Sequence, residues 1–426
     1  MLGLGIVGAG VARSLAAKAA TLHAELGRSV QLQSVLVRDP TKPREAELPP
    51  GALTTDPADV LDNPDIDIVV ELLGRVHPPY EYICRAIRNG KHVVTANKDV
   101  MALHGAEILR LAQEHDVDVY YEASVGGGIP LIGSFRQDLV ANEIHQIHAI
   151  INGTTNYILT RMESGQVDFD VALSAAQKLG YAESDPTSDV EGVDAAYKLA
   201  ILASIAFRLQ VAPDEIYREG VGSLAAADFR YAREFGYAIK LLAIGKRDGD
   251  WVELRVHPTL VAQEHLLADV HDVFNAVHVQ GDLIGTALFY GRGAGSAPTS
   301  SAIVADIVDS VHNITAGVTN RIPFHHRAGL RLRPIADVVS RAYVRLWVAD
   351  RPGVLAQIAH VFGDHDISIA ACVQKETSTS TQGAEAEIVV LTHPAREADV
   401  QRGLRVLADL PVVRRIANHL RIEDLN

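Results

Sequence analysis

The sequence predicts a multidomain α/β protein, and three observations support this prediction. The chain has 426 residues, which at roughly 150 residues per domain corresponds to two or three domains. Hydrophobic residues make up 48% and charged residues 22% of the chain, close to the average of folded globular proteins. In the first third of the chain, short apolar runs alternate with amphipathic helical patterns, which is typical of a parallel sheet covered by helices on both faces.

Charge and composition exclude two classes of partner. The chain has 39 Lys and Arg against 53 Asp and Glu, a net charge of −14, so it lacks the basic surface that binds nucleic acids or anionic membranes. It has neither the basic flank and cleavage site of a signal peptide nor a run of roughly 18 apolar residues that would span a membrane. Cys84 and Cys372 are far apart and form no disulfide framework. We therefore expect a cytoplasmic protein that binds neither nucleic acid nor membrane.

Residues 1–135 show the alternation of strand and helix patterns most clearly. These repeated units indicate a doubly wound domain. A helical segment at residues 300–313 is expected to return to this domain. The candidate strands span residues 30–37, 65–73, 91–96 and 117–124.

A glycine-rich turn opens the first domain. The segment GLGIVG holds Gly3, Gly5 and Gly8 at Gly-x-Gly-x-x-Gly spacing and precedes a long helical pattern. Such glycines permit a tight turn, let the backbone approach a pyrophosphate and let helix and strand pack closely, while the helix N-terminus faces the phosphates. We interpret the turn, including Ile6 and Val7, as a dinucleotide-binding site, with a plain tight turn as the alternative.

The strand that should precede this turn is short. Only Met1 and Leu2 come before Gly3, although a central strand of about five residues is expected there. A central strand contributes more to a sheet than an edge strand does. We therefore hypothesise that the translation start lies upstream of Met1.

The residues after the second strand bear on the choice of dinucleotide. Arg38 and Asp39 follow this strand, and Lys42 and Arg44 come shortly afterwards. An acidic residue at this place binds the ribose 2′-hydroxyl of NAD, whereas an arginine suits the 2′-phosphate of NADP. Three cations against one aspartate favour NADP, with NAD also possible. The alternative is that Lys42 and Arg44 belong to a solvated turn.

The remainder of the chain divides into three parts. Residues 136–299 mix longer helices with strand patterns and indicate an α+β domain. Residues 314–341 are rich in Arg, Gly and Pro and are interpreted as a linker. Residues 342–426 show the order β-α-β-β-α-β, which is that of a ferredoxin-like unit.

Several long motifs make the chain similar to homoserine dehydrogenase. They are VVTANKDVMALHG, EASVGGGIP, NGTTNYILTRM, GYAESDPTSDVEGVDAAYKLAIL and FYGRGAGSAPTSSAIVADIV. The tail, with AYVRLWVADRPGVLAQIAHVF, resembles an ACT domain, a small amino-acid-binding regulatory module. The resemblance implies a Rossmann-like nucleotide-binding domain, a substrate-binding and dimerisation domain over residues 136–299, and an ACT domain over residues 342–426.

The implied activity is the NAD(P)-dependent interconversion of L-homoserine and L-aspartate 4-semialdehyde, on the route to threonine, methionine and isoleucine. Two alternatives stay open. Aspartate-semialdehyde dehydrogenase needs a nucleophilic cysteine, but Cys84 lies in a helical pattern rather than at a strand end. A catalytically weak amino-acid sensor is the other, because the first strand is so short.

One charged pair lies in an apolar helical pattern. Asp194 and Lys198 are four residues apart and therefore neighbours on one helix face, within the apolar segment VDAAYKLAILASIAF. Charged residues are rarely buried without a reason, so the pattern favours a functional pair. By resemblance, Lys198 gives its proton to the aldehyde oxygen during reduction, and Asp194 binds the substrate amino group or hydroxyl. The resemblance also places Lys98 beside nicotinamide and substrate.

Further binding residues are implied by the resemblance alone. Glu183 matches a glutamate that contacts homoserine and borders the cofactor site. Gly180 and Gly293 match positions where the backbone meets the cofactor. Arg38 is added to the cofactor-binding residues because of its place after the second strand. A zwitterionic substrate needs a carboxylate for its ammonium group, and the acidic segment ESDPTSDVEGVD supplies several.

The glycine run in EASVGGGIP lacks the Lys-Ser/Thr of a phosphate-binding P-loop. The resemblance implies a monovalent cation site there, sodium being the expected ion, made by the side chain of Glu122 and the backbone carbonyls of Val125, Gly127 and Ile129. Oxygen ligands suit such a hard cation. A flexible hinge is the alternative.

The ACT-like tail suggests regulation. Asp350 and Gly353 lie at a strand-to-helix turn, and Asp366 precedes the next strand. ACT domains bind an amino acid between paired modules, so we expect L-threonine as effector and a homodimer or homotetramer. Another effector or a purely structural tail is the alternative.

Overall fold

The computed structural model describes residues 1–44, 46–319, 326–380 and 383–425. Part of the predicted linker at residues 314–341 therefore lies outside the described residues. Helices are α1 (Ile6–Ala17), α2 (Ala19–Leu26), α3 (Ala58–Leu61), α4 (Pro79–Arg88), α5 (Lys98–Glu114), α6 (Ile132–Arg136), α7 (Gly153–Gly165), α8 (Phe169–Lys178), α9 (Thr187–Val190), α10 (Val193–Ala206), α11 (Ala226–Glu234), α12 (Ser296–Ala316), α13 (Val354–Asp364) and α14 (Glu397–Asp409).

The strands complete the description of secondary structure. They are β1 (Val35–Leu36), β2 (Leu53–Thr54), β3 (Ile68–Glu71), β4 (His92–Thr95), β5 (Val119–Tyr120), β6 (Ile144–Ile150), β7 (Tyr217–Arg218), β8 (Tyr237–Asp248), β9 (Trp251–Ala262), β10 (Phe274–Gly281), β11 (Gly285–Arg292), β12 (Arg331–Leu332), β13 (Val339–Ala349), β14 (Ile369–Ser380), β15 (Gly383–Thr392), β16 (Ala395–Arg396) and β17 (Val413–Glu423). Across the described ranges, no helix is long and apolar enough to cross a membrane.

The chain forms two compact units, each built from three segments. The first unit contains Met1–Ile147, Ala195–Ile216 and Phe274–Gly329. The second unit contains His148–Asp194, Tyr217–Val273 and Leu330–Asn426. The tail that resembles an ACT domain therefore belongs to the same unit as part of the middle of the chain.

A parallel sheet forms the centre of the first unit. Strand β1 pairs with β2, and β3 pairs with β4, which pairs with β5. Leu2 connects the two groups, because it forms parallel bridges to Leu36 in β1 and to Glu71 in β3. Counting Leu2 as the first strand, the order is third, second, first, fourth, fifth, sixth, which is the order of a Rossmann fold.

Leu2 therefore occupies the central strand position that the sequence analysis identified as short. Its N–H donates to the Val70 carbonyl at 2.8 Å, and its carbonyl accepts from the Leu72 N–H at 2.9 Å. On the other side, the Leu36 N–H donates to the Met1 carbonyl at 2.9 Å. These bonds fill the central place of the sheet over a single residue.

The helices of the first unit cover this sheet. The long helical pattern after the glycine turn forms two helices, α1 and α2, because the backbone leaves the helical region at Lys18. The segment predicted as a helix over residues 300–313 is the longer helix α12, whose Ser296 hydroxyl donates to the Ile6 carbonyl at the start of α1. Apolar residues of α1, α12 and the strands form one core, including Val11, Val35, Val94 and Ile303.

A mixed sheet forms the second unit. The long strand β9 pairs with β8 in antiparallel orientation along one edge. Along the other edge it pairs in parallel with three short stretches in turn, from β12, β7 and β17. Strand β17 continues the sheet to β13, β15 and β14, which are all antiparallel.

The tail has the predicted β-α-β-β-α-β order, formed by β13, α13, β14, β15, α14 and β17. Its sheet order is β17-β13-β15-β14, the ferredoxin-like order in which the last strand lies beside the first. Helices α13 and α14 cover one face through a core that includes Leu346, Ile358, Phe362 and Leu404. The first strand starts at Val339, three residues before the predicted boundary at 342.

The predicted fold class is confirmed, with corrections at element boundaries. The candidate strand at residues 30–37 is paired only at Val35–Leu36, and the one at 117–124 ends as a strand at Tyr120 and continues as a 3₁₀ turn. Residues 314–316 extend α12 into the predicted linker. Apolar patterns set element type well, but pairing partners decide where a strand ends.

Candidate functional site

The glycine turn lies at the N-terminus of α1, beside the central position of the parallel sheet. Gly3 has a φ of +97°, and Gly5 is the residue before the helix. A side chain at Gly8 would lie 2.5 Å from the Gly3 carbonyl oxygen, so the turn closes on itself there. Ile6 is 80% exposed, and Val7 is half-buried behind it. The geometry leaves the helix N-terminus open to an anionic ligand such as a pyrophosphate.

The loop after β1 is ordered by its exposed aspartate, Asp39. Asp39 Oδ1 accepts hydrogen bonds from the Thr41 N–H and hydroxyl at 2.8 and 2.7 Å. These bonds lower the pKa of Asp39. Arg44 donates to the carbonyls of Asp39 and Lys42, so its guanidinium ties the loop together. Arg38 precedes this hydrogen-bonded loop and is exposed.

Lys98 is the first residue of α5, three residues beyond the end of β4. Its Nζ lies 3.6 Å from the carboxylate of Asp99, and each side chain is about one third exposed. Asn97 caps the helix, because its Oδ1 accepts from the Val100 N–H at 3.2 Å. Lys98 therefore extends from a fixed helix start at the carboxyl edge of the parallel sheet, where doubly wound folds bind their ligands.

Glu122 begins the loop that was predicted to hold a cation. Its Oε1 accepts from the N–H groups of Leu131 and Ile132 at 2.6 and 2.9 Å, and its Oε2 accepts from Gly133 at 2.7 Å. Burial raises the pKa of Glu122, and the three N–H donors offset part of that effect. The carboxylate thus closes the loop onto the start of α6.

The middle of this loop contacts the segment after β11. A side chain at Gly127, whose φ is +57°, would lie 2.5 Å from the carbonyl oxygen of Gly293. Among the described residues, no backbone N–H outside helices and strands donates to the carbonyls of Val125, Gly127 or Ile129. The structure therefore brings Gly293 against the loop that contains Glu122, which the sequence did not indicate.

Asp194 is buried on α10 and has a fixed orientation. Its Oδ2 accepts a hydrogen bond of 2.9 Å from Asn152 Nδ2, which also donates to Asp189 Oδ1 at 2.6 Å. Asn152 is itself held as the cap of α7, since its Oδ1 accepts from the Thr155 N–H at 2.8 Å. Lys198 follows Asp194 by one turn on the same helix and is half-buried.

Asn152 is the residue that sequence reasoning missed. It stands in the motif NGTTNYILTRM, and an Asn before Gly-Thr-Thr and an apolar run is a recognisable helix-cap signal. That signal predicts a helix start, but it gives no sign that the amide also holds Asp194. The distance of 42 residues between the two explains why.

Glu183 lies in an exposed loop between α8 and α9. Its backbone carbonyl accepts from Gln177 Nε2 at 3.1 Å, and the carbonyl of the neighbouring Tyr181 accepts from the Thr154 hydroxyl at 2.7 Å. Gly180 opens this loop with a φ of +76°. Asp185 accepts from the Thr187 N–H and hydroxyl, which lowers the pKa of Asp185.

The three residues predicted to bind an effector lie at the two ends of α13. Gly353 caps the start of the helix, and Asp350 shortly before it is exposed. Asp366 follows the helix with a φ of +57°. Because α13 has 11 residues, its ends are about 16 Å apart. Within one chain, the structure therefore does not bring Asp366 together with Asp350 and Gly353.

The first unit thus has the strand order, the glycine turn and the helix N-terminus of a dinucleotide-binding Rossmann domain, which many oxidoreductases contain. Profiles of known families extend this conclusion. The profile described as the NAD binding domain of homoserine dehydrogenase matches residues 3–122, and the one described as homoserine dehydrogenase matches residues 130–308. An ACT domain profile matches residues 342–412.

Similar proteins cover the whole chain. A homoserine dehydrogenase of Synechocystis is 44% identical, covering 99% of this chain and 98% of its own, and one of Bacillus subtilis is 40% identical, covering 99% and 97%. The crystal structure of a homoserine dehydrogenase from Thiobacillus denitrificans matches with a TM-score of 0.93 at 44% identity, covering 100% of this chain and 97% of that one. The chain belongs to the homoserine dehydrogenase family, which acts on a CH-OH group, and it carries a C-terminal ACT domain.

Proposed function

We propose that the chain catalyses the NADP-dependent interconversion of L-homoserine and L-aspartate 4-semialdehyde. The observation that carries this proposal is the family membership over nearly the full chain, together with a buried, oriented Asp194 one helical turn before Lys198. The sensor alternative rested on the short first strand, and Leu2 fills the central strand position with paired backbone groups. Nothing in the site favours it.

The proposed chemistry needs one proton transfer by the protein, since a bound nicotinamide supplies the redox step. Lys198 donates its Nζ proton to the aldehyde oxygen in the reductive direction and accepts it back during oxidation. Asp194 binds the amino group or hydroxyl of the substrate. Lys98 is the second cation of the proposed site, beside the nicotinamide and the substrate.

Glu183 is proposed to bind the substrate ammonium group. Asp185 and Asp189 of the same acidic segment already accept hydrogen bonds from Thr187 and Asn152, which order the loop. Glu183 is exposed, and the backbone carbonyl at its position is held by Gln177. The loop therefore presents this carboxylate on a supported backbone.

The loop after β1 supports NADP over NAD. Asp39 uses its Oδ1 to accept from Thr41, so part of its acceptor capacity serves the loop itself. Arg38 and Lys42 are exposed beside it. We expect Arg38→Ala to raise the KM for NADP about tenfold while the KM for NAD changes little. Equal effects on both cofactors would argue against a 2′-phosphate site.

A monovalent cation, with sodium as the expected ion, is proposed at Glu122 and the carbonyls of Val125, Gly127 and Ile129. Oxygen donors of this kind suit a hard cation. A cation there would also offset the effect of burial, which raises the pKa of Glu122. Its role would be to brace this loop against the segment at Gly293. The test is thermal unfolding in sodium against a bulky organic cation such as choline, where sodium should raise the Tm.

L-Threonine is the proposed effector at the ACT domain. Since Asp366 lies about 16 Å along α13 from Gly353, one small amino acid can contact both places only if two chains contribute. The proposal therefore includes a homodimer or homotetramer. Sedimentation velocity with and without threonine, with Asp366→Ala as the variant, tests both parts together. A monomer that threonine still inhibits would contradict this arrangement.

The experiment for the activity itself uses the purified full chain. We expect reduction of NADP that depends on L-homoserine, and the reverse reaction with L-aspartate 4-semialdehyde. Reduction of neither NADP nor NAD by a folded protein would reject the proposal. Oxidation of L-aspartate 4-semialdehyde by NADP that requires phosphate as the acyl acceptor would point to aspartate-semialdehyde dehydrogenase instead.

A further inference from the structure

Glu71 is a fully buried carboxylate that has no role in the chemistry described so far. It is the last residue of β3, with none of its surface exposed. Its backbone bridges to Leu2 at the centre of the parallel sheet. A buried carboxylate is costly unless each oxygen has donors, so its hydrogen bonds indicate what it does.

Both oxygens of Glu71 accept from neutral donors, one in the loop after β3 and one at the end of β4. Oε1 accepts from the Leu73 N–H at 2.7 Å, and Oε2 accepts from the Thr95 hydroxyl at 2.7 Å. Burial raises the pKa of Glu71, while the bonds from Thr95 and Leu73 oppose that rise. The carboxylate thereby fastens the loop after β3 to the end of β4.

The bond to Thr95 is the first of a chain that leads to Lys98. The Thr95 hydroxyl oxygen accepts from the Asn97 N–H at 3.0 Å. Asn97 then caps α5, whose first residue is Lys98, and its Nδ2 donates to the Arg75 carbonyl at 2.8 Å. The segment that leads into α5 is therefore joined to the end of β3 and the loop after it by two hydrogen bonds, from Thr95 to Glu71 and from Asn97 to Arg75.

This cluster lies at the place where the strand order reverses. Leu2 and β3 are neighbours on the two sides of that switch point, and the crevice outside it binds the ligand in doubly wound folds. The loop after β3 also contacts the glycine turn, because a side chain at Gly3 would lie 3.0 Å from the Leu72 carbonyl oxygen. The glycine turn, the loop after β3 and the start of α5 are thus all connected to Glu71 or to its immediate neighbours.

We propose that Glu71 is a positioning residue, which holds the loop after β3 and the start of α5 so that the cofactor binds and Lys98 points at the reacting groups. This rests on the proposed roles of Lys98 and of the glycine turn. A glutamine in its place keeps only one acceptor oxygen. Its NH₂ group would face either the Leu73 N–H, which cannot accept a hydrogen bond, or the Thr95 oxygen, which already accepts from the Asn97 N–H, so the link between the loop after β3 and the end of β4 would be weakened.

The test compares Glu71→Gln with Asp118→Asn in the full chain. Asp118 is a matched control, since it is buried just before β5 in the same sheet and accepts from Asn313 Nδ2 at 2.8 Å. We expect Glu71→Gln to raise the Kd for NADPH, measured by fluorescence titration, about tenfold and to lower kcat about tenfold or more. Asp118→Asn should reduce the Tm comparably and leave both values near wild type.

Equal effects of the two variants on NADPH binding and kcat would overturn the proposal, because a general loss of stability would then explain them. If Glu71→Gln does not fold, Thr95→Val breaks the same link and should likewise raise the Kd for NADPH and lower kcat. A wild-type Kd for NADPH in the Thr95→Val variant would overturn the proposal. The NADPH titration needs no substrate. A failure of the homoserine reaction in the wild-type chain is therefore distinguishable from a failure of the role of Glu71.

Discussion

The two units hold their buried charged groups in different ways. In the first unit, the carboxylates of Glu71 and Glu122 accept from neutral N–H and hydroxyl groups, and burial raises the pKa of each. In the second unit, buried carboxylates meet buried cations. Arg345 donates to Asp228 at 2.7 Å and to Glu387 at 2.7 Å, and the three side chains are almost fully buried.

The second unit repeats this arrangement along β17. Glu423 accepts from Arg255 Nη2 at 2.9 Å and is paired with His148 and Lys246. Burial opposes ionisation of Glu423, but Arg255, the hydrogen bond with His148 and Lys246 outweigh burial and hold its pKa well below the ordinary value. Since β17 also pairs with β9, the ACT strands are joined to the rest of the unit by both a ladder and buried ion pairs.

This difference shows which interactions hold the loops and strands of each unit in place. Carboxylates in the first unit order the loop after β3 and the loop that begins at Glu122. Ion pairs in the second unit fasten the ACT domain to the segment containing β7, α11 and β9, so removal of the tail would leave charges unpaired. An intact chain is therefore the right material for tests of threonine regulation.

The largest effect is expected for Arg345→Met. The substitution leaves Asp228 and Glu387 buried without their cation, which costs about 3–5 kcal/mol in the free energy of unfolding. Urea unfolding measures the loss, and the exposed Arg351→Met is the matched control. A loss under 1 kcal/mol would mean that the ion pairs do not support the second unit.

The next largest effect is a loss of stability of the second unit at acidic pH. Burial, with Arg421 nearby, lowers the pKa of His419 to about 4. Its folded pKa is thus below its unfolded value, so its contribution to stability is complete above pH 6.5 and is lost as the pH falls from there toward 4. At pH 5 the loss from His419 is about 2 kcal/mol. His148 and His257 shift in the same direction.

Three buried carboxylates of the first unit are expected to respond to acid in the opposite direction, whereas burial lowers the pKa of His92 and of the Met1 amino group of that unit, as it does for His419. The raised pKa values of Glu71, Glu122 and Asp306 mean that the folded state takes up protons first, so these groups cost less as the pH falls. Hydrogen exchange followed by mass spectrometry, corrected for the intrinsic pH dependence of exchange, should show protection lost earlier in the strand that contains His419 than around Glu71 and Glu122. Earlier loss around the two carboxylates would contradict the comparison.

A smaller effect is expected for Tyr231→Phe in the second unit. The Tyr231 hydroxyl donates to Glu387 Oε2 at 2.8 Å, and a hydrogen bond to a charged group contributes about 1.5–3 kcal/mol. We expect a loss at the lower end of that range, because Arg345 still neutralises Glu387. Urea unfolding checks this value. If the loss equals that of Arg345→Met, the hydroxyl rather than the charge supports the carboxylate.

The smallest effect is expected for an exposed pair in the first unit. Arg85 and Asp62 form an ion pair whose side chains are 45% and 42% exposed. Solvent screening leaves such exposed pairs little net energy, so Arg85→Ala should leave the urea midpoint of unfolding nearly unchanged. A loss that matches Arg345→Met would show that burial does not set the strength of these pairs.

Much of the fold was predictable because its signals are local in the sequence. The glycine turn at Gly3–Gly8, the alternation of strands and helices, and the β-α-β-β-α-β tail each lie within a short segment. The motifs that contain Asp194 and Lys198 are also continuous. These features predict element type, family resemblance and candidate site residues without any knowledge of distant contacts.

The remainder depends on contacts between distant residues. Arg345 and Asp228 are 117 residues apart, and the pairing of β9 with β17 joins residues such as Thr259 and Arg421. Glu71 stands in an ordinary apolar strand pattern, and its partner Thr95 follows 24 residues later. No local pattern indicates such pairs. The sequence therefore predicted a separate ACT module, whereas the structure shows one that shares a sheet with β8 and β9.

The most direct test of the account is the turnover of Lys198→Ala with L-homoserine and NADP. Removal of the proposed proton donor should lower kcat about a hundredfold or more and leave the Kd for NADPH near wild type. Lys18→Ala, at an exposed lysine between α1 and α2, is the control and should keep full activity. Near-normal turnover of the Lys198→Ala variant would contradict the account and remove Lys198 from the reaction.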